Sequence, residues 1–237
     1  MKPNTLSIDV GGTGLKASVL DKDGKMLVDR VRVETPIPCP PAVLMDSLDE
    51  LIRPLPEFDR VSIGFPGVVR EGKVITAPNL GTPKPWSHYP LAKALEHKWG
   101  KPVRILNDAD MQGLAVIKGK GLEMVVTLGT GVGTALYRDG VLMAHLELAH
   151  HPVHGDKTYN QYIGDKVLIK KGKKKWNQRV RRVLDILYTL INYDTVFIGG
   201  GNARLIKFKL EKNMKVVSNQ AGILGGIALW RDDRNKV

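Results

Sequence analysis

Short apolar runs separated by glycine-containing turns occur in two stretches of the chain, and both stretches have the same order. Each consists of a strand, a glycine-rich turn, a second strand, a two-residue hairpin turn and a third strand. These elements are predicted at residues 6–10, 11–14, 16–20, 23–24 and 25–34 in the first stretch, and at 124–128, 129–133, 134–137, 139–140 and 141–143 in the second. Because a repeated pattern indicates repeated structure, the sequence predicts two similar halves with a cleft between them.

The rest of the chain alternates between short apolar runs and longer segments in which apolar residues recur at helical spacing. Helices are predicted at 41–55, 91–99, 174–192 and 221–231, strands at 61–65, 74–76 and 195–198, and a loop at 77–90. Alternating strands and helices indicate an α/β fold. We expect an N-terminal domain at 1–110 and a C-terminal domain at 111–237, with the last helix able to pack back on the first domain.

The composition predicts a globular intracellular protein. Of the 237 residues, 43% are hydrophobic, which is enough for a sizeable core. The single cysteine, Cys39, excludes a disulfide framework within the chain and a multi-cysteine zinc site. No uninterrupted apolar run approaches the ~18 residues that cross a bilayer, and the polar N-terminus does not resemble a signal peptide. We therefore expect a cytoplasmic location and no membrane association.

The formal net charge of +12 favours a polyanionic partner such as polyphosphate, nucleic acid or anionic lipid. The positive charge is concentrated between Lys166 and Arg182. Six cations of this segment form a candidate polyphosphate patch: Lys170, Lys171, Lys173, Lys174, Lys175 and Arg179. A solvated helix face is the alternative explanation. Nucleic acid is disfavoured because aromatic residues, which stack on bases, are not interleaved with these cations.

A carboxylate follows the apolar strand that ends near Leu106. Asn107, Asp108 and Asp110 come directly after this strand, and helical spacing of apolar residues resumes at Met111. Open α/β sheets bind their ligands at the carboxyl ends of strands, so Asp108 is the candidate general base. The alternative is that Asp108 or Asp110 only caps the helix.

The two glycine-rich turns have the composition of phosphate-binding loops. The first follows Asp9 and precedes Lys16, but it is neither a Walker loop nor a dinucleotide fingerprint, because a strand follows its glycines. Glycines allow backbone amides to approach an anion, and Asp9 is placed to hold Mg²⁺ through water. An ordinary hairpin is the alternative. The residues assigned to a phosphate donor in the two turns are Gly11, Gly12, Thr13, Gly14, Lys16, Gly129, Thr130 and Gly131.

With Asp108 between them in the sequence, the two turns predict phosphoryl transfer from a clamped donor to an acceptor hydroxyl. Seven motifs also occur in the order that they have in the ROK family of sugar kinases, at residues 9–14, 64–69, 77–80, 107–110, 128–133, 147–150 and 198–201. The chain resembles this family over nearly its whole length. Within the family it is most similar to the bacterial polyphosphate glucokinases, including the absence of a cysteine zinc knuckle and the Trp-Asn-Gln-Arg-Val-Arg-Arg segment at 176–182.

The resemblance implies a fold, an activity and a set of residues. The fold is the actin-like (ribonuclease H-like) ATPase and sugar kinase fold, with two similar α/β halves. The activity is phosphoryl transfer from polyphosphate, ATP or both to a hexose hydroxyl, giving glucose 6-phosphate with Mg²⁺ as cofactor, and we also expect a homodimer. Asp108 would be the catalytic base. The residues implied for the sugar are Asn79, Asn107, Asp108, Glu147 and His150, and Gly200 and Gly201 would pack against a donor nucleotide.

Several alternatives remain open. His150 has three further histidines nearby, but without cysteines no structural zinc site is expected. Ala149 replaces a glycine that is usual in the family, and residues 151–175 match the family poorly, so glucose and mannose both remain as acceptors. The rival functions are a strictly ATP-dependent hexokinase and a non-catalytic sugar sensor. Repressors of the family carry an added DNA-binding domain, for which we expect no room in a chain that begins at the first strand.

Overall fold

The computed structural model describes residues 3–81, 83–218 and 221–231. Its backbone contacts group into two compact units. Unit 1 runs to Ala115 and resumes at Gly222, and unit 2 runs from Val116 to Ala221. The division therefore falls after Ala115, where the domain prediction placed it after Asp110, and most of the last helix is grouped with unit 1.

Unit 1 contains a five-stranded sheet with helices packed on it. Its elements are β1 (Thr5–Val10), β2 (Leu15–Leu20), β3 (Val31–Val33), α1 (Pro41–Ile52), β4 (Arg60–Phe65), β5 (Val69–Arg70), β6 (Lys73–Val74), α2 (Pro83–Trp86), α3 (Leu91–Trp99), β7 (Val103–Asn107) and α4 (Asp108–Leu114). The order is β3-β2-β1-β4-β7, with the first three strands antiparallel and the last three parallel. Strands β1, β4 and β7 are almost entirely buried, as expected for parallel strands covered on both faces.

Unit 2 repeats this topology. Its elements are β8 (Leu122–Leu128), β9 (Val132–Arg138), β10 (Val141–Leu142), β11 (Pro152–His154), β12 (Lys157–Thr158), α5 (Tyr159–Ile163), α6 (Asp165–Ile191), β13 (Thr195–Gly199) and β14 (Met214–Val216), with 3₁₀ turns at Leu148–His150 and Ala203–Leu205. The sheet order β10-β9-β8-β13-β14 again joins two antiparallel pairs to two parallel pairs. The predicted repeat of two similar α/β halves is confirmed. The last helix is α7 (Ala221–Ala228).

The long helix of unit 2 corrects one prediction. The sequence predicted a helix from residue 174, but α6 begins at Asp165 and is interrupted at Gly172, which has φ 75° and ψ 162°. Lysine is a good helix former, so the lysine-rich run is helical although it lacks an apolar stripe. Neither α6 nor any other helix in the described part of the chain is long and apolar enough to span a membrane. The residues of α6 that pack into the core are Trp176, Val180, Val183, Leu184 and Leu187.

Two further predictions were wrong in extent. The third strand of the first stretch was predicted at 25–34, but β3 has only three residues. Just before it, the Ser18 hydroxyl donates to the Val28 carbonyl at 2.8 Å, so a side chain occupies a carbonyl that a continuous strand ladder would use. The predicted loop at 77–90 contains the short helix α2, in which Trp86 is fully buried.

Helix α7 packs on unit 1 at backbone contact distance because it presents glycines. The hydroxyls of Ser7 and Ser62, on buried strands, each donate to a backbone carbonyl of α7 at 2.7 Å. A Cβ added at Gly225 would lie 1.8 Å from the carbonyl oxygen of Met111 in α4. Helix α4, which follows β7 directly, is therefore packed against the far end of the chain.

We expect Gly225→Ala to destabilise unit 1 by about 1–3 kcal/mol or more, the usual cost of overpacking a core. The opposing atom is a backbone oxygen, which cannot swing away as a flexible side chain could. Urea denaturation monitored by circular dichroism measures the change. Gly222→Ala on the same helix is the matched control, because its Cβ would lie no closer than 3.8 Å to the nearest atom. Equal stability of the two variants would contradict this packing.

Candidate active site

The turn between β7 and α4 places a carboxylate at the carboxyl end of a buried strand. Asp108 is the first residue of α4 and is half-buried. The helix cap is Asn107, whose Oδ1 accepts the N–H of Ala109 at 2.8 Å and the N–H of Asp110 at 3.3 Å. The Asp108 Oδ1 accepts the same Ala109 N–H at 2.9 Å. The alternative in which Asp108 or Asp110 is the N-cap is therefore wrong, because Asn107 occupies that position.

The amide of Asn107 fixes this turn from both of its ends. Its Nδ2 donates to the carbonyl of Gly67 at 3.0 Å and to that of Phe65 at 3.5 Å, while its oxygen caps α4. The side chain is only 6% exposed. Asn107 therefore ties the end of β7 to the end of β4, and its contact with a sugar hydroxyl stays a prediction.

The turn between β1 and β2 is a hairpin, and two side chains that were not predicted from the sequence hold its backbone. The Gly11 N–H donates to the Gly14 carbonyl at 3.1 Å. The hydroxyl of Thr35 donates to the Gly11 carbonyl at 2.6 Å, and Arg32 donates to the Thr13 carbonyl at 3.1 Å. With these carbonyls engaged, the shape of the turn is fixed before any ligand binds.

Asp9 and Lys16 face each other across this hairpin. They are paired in the β1–β2 register, and the Lys16 Nζ lies 3.0 Å from the Asp9 Oδ2, with side chains 28% and 23% exposed. Asn79 is exposed and lies beside the same turn, since a Cβ added at Gly12 would be 3.7 Å from the Asn79 Cβ. Unit 1 thus brings one predicted sugar ligand next to the predicted phosphate loop.

The turn between β8 and β9 is the second hairpin, and both the loop after β13 and the start of α6 contact it. The Gly129 N–H donates to the Gly131 carbonyl at 3.0 Å. The Asn202 Nδ2 donates to the Gly129 carbonyl at 3.4 Å and to the Asp165 carboxylate at 3.2 Å. At the start of α6, the Asp165 N–H donates to the Thr130 carbonyl at 3.4 Å. The start of α6 and the loop after β13 therefore meet at this turn.

The two glycines after β13 differ in their surroundings. Gly200 has φ 84°, and a Cβ there would lie 2.4 Å from the Leu128 carbonyl oxygen, so only glycine fits. A Cβ added at Gly201 or at Gly129 would meet nothing within 4 Å. Unit 2 therefore brings the predicted donor residues of both loops together, with open space above two of the glycines.

The predicted sugar ligands of unit 2 lie around the 3₁₀ turn Leu148–His150. His150 is exposed at its end, and Glu147 is half-buried just before it. The Nε2 of His145 lies 3.7 Å from the Glu147 Oε2, a neighbour that the sequence did not assign. Among the described residues, the histidines here form no group of three or more His, Cys, Asp or Glu that could hold a metal.

The basic segment separates into two kinds of cation. Lys170 and Lys171 precede Gly172, and the next three lysines follow it, all of them exposed. Arg179 is different, because it is half-buried, its Cζ lies 4.7 Å from the centre of the Tyr162 ring, and it donates to the Tyr162 carbonyl at 3.3 Å. Arg179 therefore contacts α5, and the exposed patch consists of the lysines.

Two α/β sheets of one topology, each with a glycine hairpin joining its first two strands, define the actin-like class of ATPases and sugar kinases. A sequence model of the ROK family matches residues 5–154. The chain belongs to the ROK family.

A curated relative and two solved structures are similar to this chain over most of its length. The polyphosphate glucokinase of Mycobacterium tuberculosis strain H37Rv is 32% identical over 92% of this chain and 88% of that protein. The inorganic polyphosphate/ATP-glucomannokinase of Arthrobacter sp. strain KM is 28% identical, with a TM-score of 0.82 over 95% of this chain and 97% of that chain. A ROK family glucokinase from Streptomyces griseus, solved with glucose and AMPPNP, is 20% identical, with a TM-score of 0.78 over 95% and 98% of the two chains. The predicted actin-like fold is confirmed.

Proposed function

We propose that this chain transfers the terminal phosphoryl group of inorganic polyphosphate, ATP or both to the 6-hydroxyl of glucose, giving glucose 6-phosphate. The observation that carries the proposal is the half-buried carboxylate of Asp108 at the carboxyl end of β7. It occurs in a chain with two preformed glycine hairpins. The relatives named polyphosphate glucokinase and polyphosphate/ATP-glucomannokinase support the same reaction.

Asp108 acts as the general base. Its carboxylate accepts the proton of the sugar hydroxyl while the hydroxyl oxygen attacks the terminal phosphorus of the donor. The bond from that phosphorus to the bridging oxygen breaks, and the leaving group is a polyphosphate shorter by one unit or ADP. Asn107 is a positioning residue, because its amide holds the turn that carries Asp108.

The hairpins supply the electrostatic part of catalysis. Phosphoryl transfer needs little covalent help from a protein, so positioning and stabilisation of charge on the phosphoryl oxygens dominate. The donor-binding groups of unit 1 are the amides of the first hairpin and the ammonium group of Lys16. Those of unit 2 are the amides around Gly129 and Gly201, the two glycines with open space above them.

Asp9 fits a magnesium ion held through water. A carboxylate oxygen is a hard ligand, Mg²⁺ usually keeps several waters, and Asp9 is partly exposed with its Oδ2 paired to Lys16. Within the described ranges no cluster of three or more His, Cys, Asp or Glu is arranged for a metal, which suits an ion bound by one carboxylate, waters and donor phosphates. Bound there, Mg²⁺ would neutralise charge on the phosphoryl oxygens.

Glu147 and His150 bind sugar hydroxyls in this proposal, because a carboxylate accepts hydrogen bonds and an imidazole can donate or accept. We expect Glu147→Gln and His150→Ala each to weaken glucose binding about 10-fold, the worth of one hydrogen bond of about 1.4 kcal/mol. Isothermal calorimetry with glucose measures the change, and His151→Ala, at the neighbouring exposed histidine, is the matched control. Unchanged glucose affinity in both variants would place the sugar site elsewhere.

The exposed lysines of α6 suit a long polyanion better than they suit a nucleotide, which supports polyphosphate as one donor. A homodimer and a cytoplasmic location stay predictions from the sequence.

The acceptor is tested by incubating the protein with Mg²⁺, each donor and a panel of glucose, mannose and N-acetylmannosamine, and by identifying the phosphorylated products by mass spectrometry and NMR. We expect glucose to be phosphorylated at its 6-hydroxyl, and a product phosphorylated elsewhere would contradict the proposal.

A further inference from the structure

Residues 176–179 of helix α6 contact two segments that themselves contact the second hairpin. One segment is helix α5, and the other is the loop after β13. The indole Nε1 of Trp176 donates to the Ile163 carbonyl at 2.7 Å, and Arg179 donates to the Tyr162 carbonyl at 3.3 Å. Both bonds hold the end of α5. The ring of Tyr162 also lies under the guanidinium of Arg179, with 4.7 Å between Cζ and the ring centre. This turn of α6 therefore fixes the position of α5.

Asn177, on the same turn of α6, holds the second of these segments, the loop after β13. Its Nδ2 donates to the Leu205 carbonyl at 3.0 Å, and its Oδ1 accepts the Lys207 N–H at 2.7 Å. These residues follow Asn202, whose side chain donates to the Gly129 carbonyl. One turn of helix thus sets the two segments that flank the hairpin between β8 and β9.

Asn160 is the residue through which α5 reaches that hairpin. Its Oδ1 accepts the N–H of Val132 at 2.7 Å. A backbone N–H can only donate, so the oxygen of the amide must face Val132 and the nitrogen must face away from it. A Cβ added at Gly131 would lie 2.8 Å from the Asn160 Oδ1 and 3.5 Å from its Nδ2. Glycine at 131 therefore lets the whole amide of Asn160 lie against the turn.

The nitrogen of this amide is available to a ligand. Within residues 3–81, 83–218 and 221–231, the Asn160 Nδ2 has no hydrogen-bond partner, although its oxygen is firmly held. The bond to Val132 fixes the orientation of the half-buried amide, and its Nδ2 is not among the fully buried side-chain atoms that lack a partner. An N–H donor that is fixed beside a phosphate-binding hairpin has the chemistry to bind a phosphoryl oxygen.

We propose that Asn160 is a donor-binding residue, with its oxygen shaping the second hairpin and its Nδ2 donating to a phosphoryl oxygen of the donor. The inference rests on the proposed function, since it takes the hairpin to hold polyphosphate or ATP. It assigns a role within the segment 151–175, which the family resemblance covers poorly. It also explains why α5 is held by two side chains of α6.

Asn160→Asp separates the two roles of this amide. The aspartate keeps an oxygen for the Val132 N–H but replaces the N–H donor by a negative oxygen. We expect it to raise the Michaelis constant for ATP and for polyphosphate roughly 10- to 100-fold, the worth of a hydrogen bond to a charged group, with the Michaelis constant for glucose unchanged. Asn160→Ala, which loses both roles, should impair donor use and also lower the thermal stability of unit 2.

Gln161→Glu is the matched control. It makes the same amide-to-carboxylate change one residue along α5, where the side chain is exposed and its Oε1 can still accept the Thr158 N–H. We expect wild-type donor constants for this variant, which excludes a general effect of charge. If Asn160→Asp has wild-type donor constants while Asn160→Ala is impaired, the residue only shapes the hairpin and the inference is overturned.

Binding of AMPPNP and of inorganic tripolyphosphate, measured by calorimetry, keeps this test separate from the test of the proposed function. A wild-type protein that phosphorylates no sugar would contradict the proposed function. Weaker binding of either compound to Asn160→Asp than to Gln161→Glu would still support the role of Asn160. Equal binding of both compounds to the two variants would overturn the inference whatever the activity.

Discussion

Asp108→Asn is expected to lower kcat by roughly 10²–10⁴-fold, the usual contribution of a general base, while glucose binding is largely kept. Asparagine has nearly the same shape as aspartate and can still accept the Ala109 N–H, but it cannot take a proton from a hydroxyl. The start of α4 should survive the change because Asn107 supplies the cap. Steady-state kinetics with saturating glucose and donor measure the loss.

The stability of the Asp108→Asn variant is the control for this result. Its thermal unfolding midpoint should match that of the wild-type protein, and calorimetry should give a similar affinity for glucose. Asn107→Ala provides the contrast, because removing the cap and the bonds to the end of β4 should destabilise the turn by about 1–2 kcal/mol or more. Near-normal turnover of Asp108→Asn would exclude Asp108 as the base.

Replacing Lys173, Lys174 and Lys175 with Ala is expected to raise the Michaelis constant for long-chain polyphosphate and to flatten its dependence on salt. A long polyanion releases counterions when it meets several cations at once, and removing three contacts should reduce the log–log salt slope by roughly 2. ATP, held by hairpins and Mg²⁺, should be little affected. Because cations are unfavourable at the start of a helix, the alanines should not lower stability in the helical portion after Gly172.

A second triple variant controls for net charge. Lys207, Lys209 and Lys212 are exposed in unit 2, and replacing them with Ala removes the same charge from another segment. Their loss should change polyphosphate kinetics much less than loss of the α6 lysines. Equal effects of the α6 variant on polyphosphate and ATP would indicate a structural role of the helix. No polyphosphate activity in the unmodified protein would support a strictly ATP-dependent hexokinase.

Local patterns were sufficient to predict most of the fold. Glycine turns between apolar runs marked both hairpins, and the apolar residues of β7 followed by polar ones marked the start of α4. The predictions were wrong where the hydrophobic pattern carries no information about the structure or is misleading. The lysine run at the start of α6 has no apolar stripe, so its helix was not predicted, and the segment before β3 alternates like a strand but is held by the Ser18 side chain.

The motifs of the candidate site could be predicted from the sequence. The side chains that hold the backbone of the glycine turns in place could not. Asp9, Asp108 and the glycines stand next to recognisable turns. Asn202, in contrast, contacts Gly129 from 73 residues away, and Asn160 contacts Val132 from 28 residues away. No periodicity or spacing connects such residues, because only the packing of α5 and of the loop after β13 brings them to the hairpin.

Glucose phosphorylation by this chain is tested by the initial rate of glucose 6-phosphate formation, coupled to a dehydrogenase and measured with Mg²⁺ and either long-chain polyphosphate or ATP. We expect steady turnover with at least one donor, no turnover when glucose or the donor is omitted, and a rate roughly 10²–10⁴-fold lower in Asp108→Asn. A folded protein that binds glucose but forms no glucose 6-phosphate with either donor would contradict the proposed kinase activity and would indicate a non-catalytic sugar sensor.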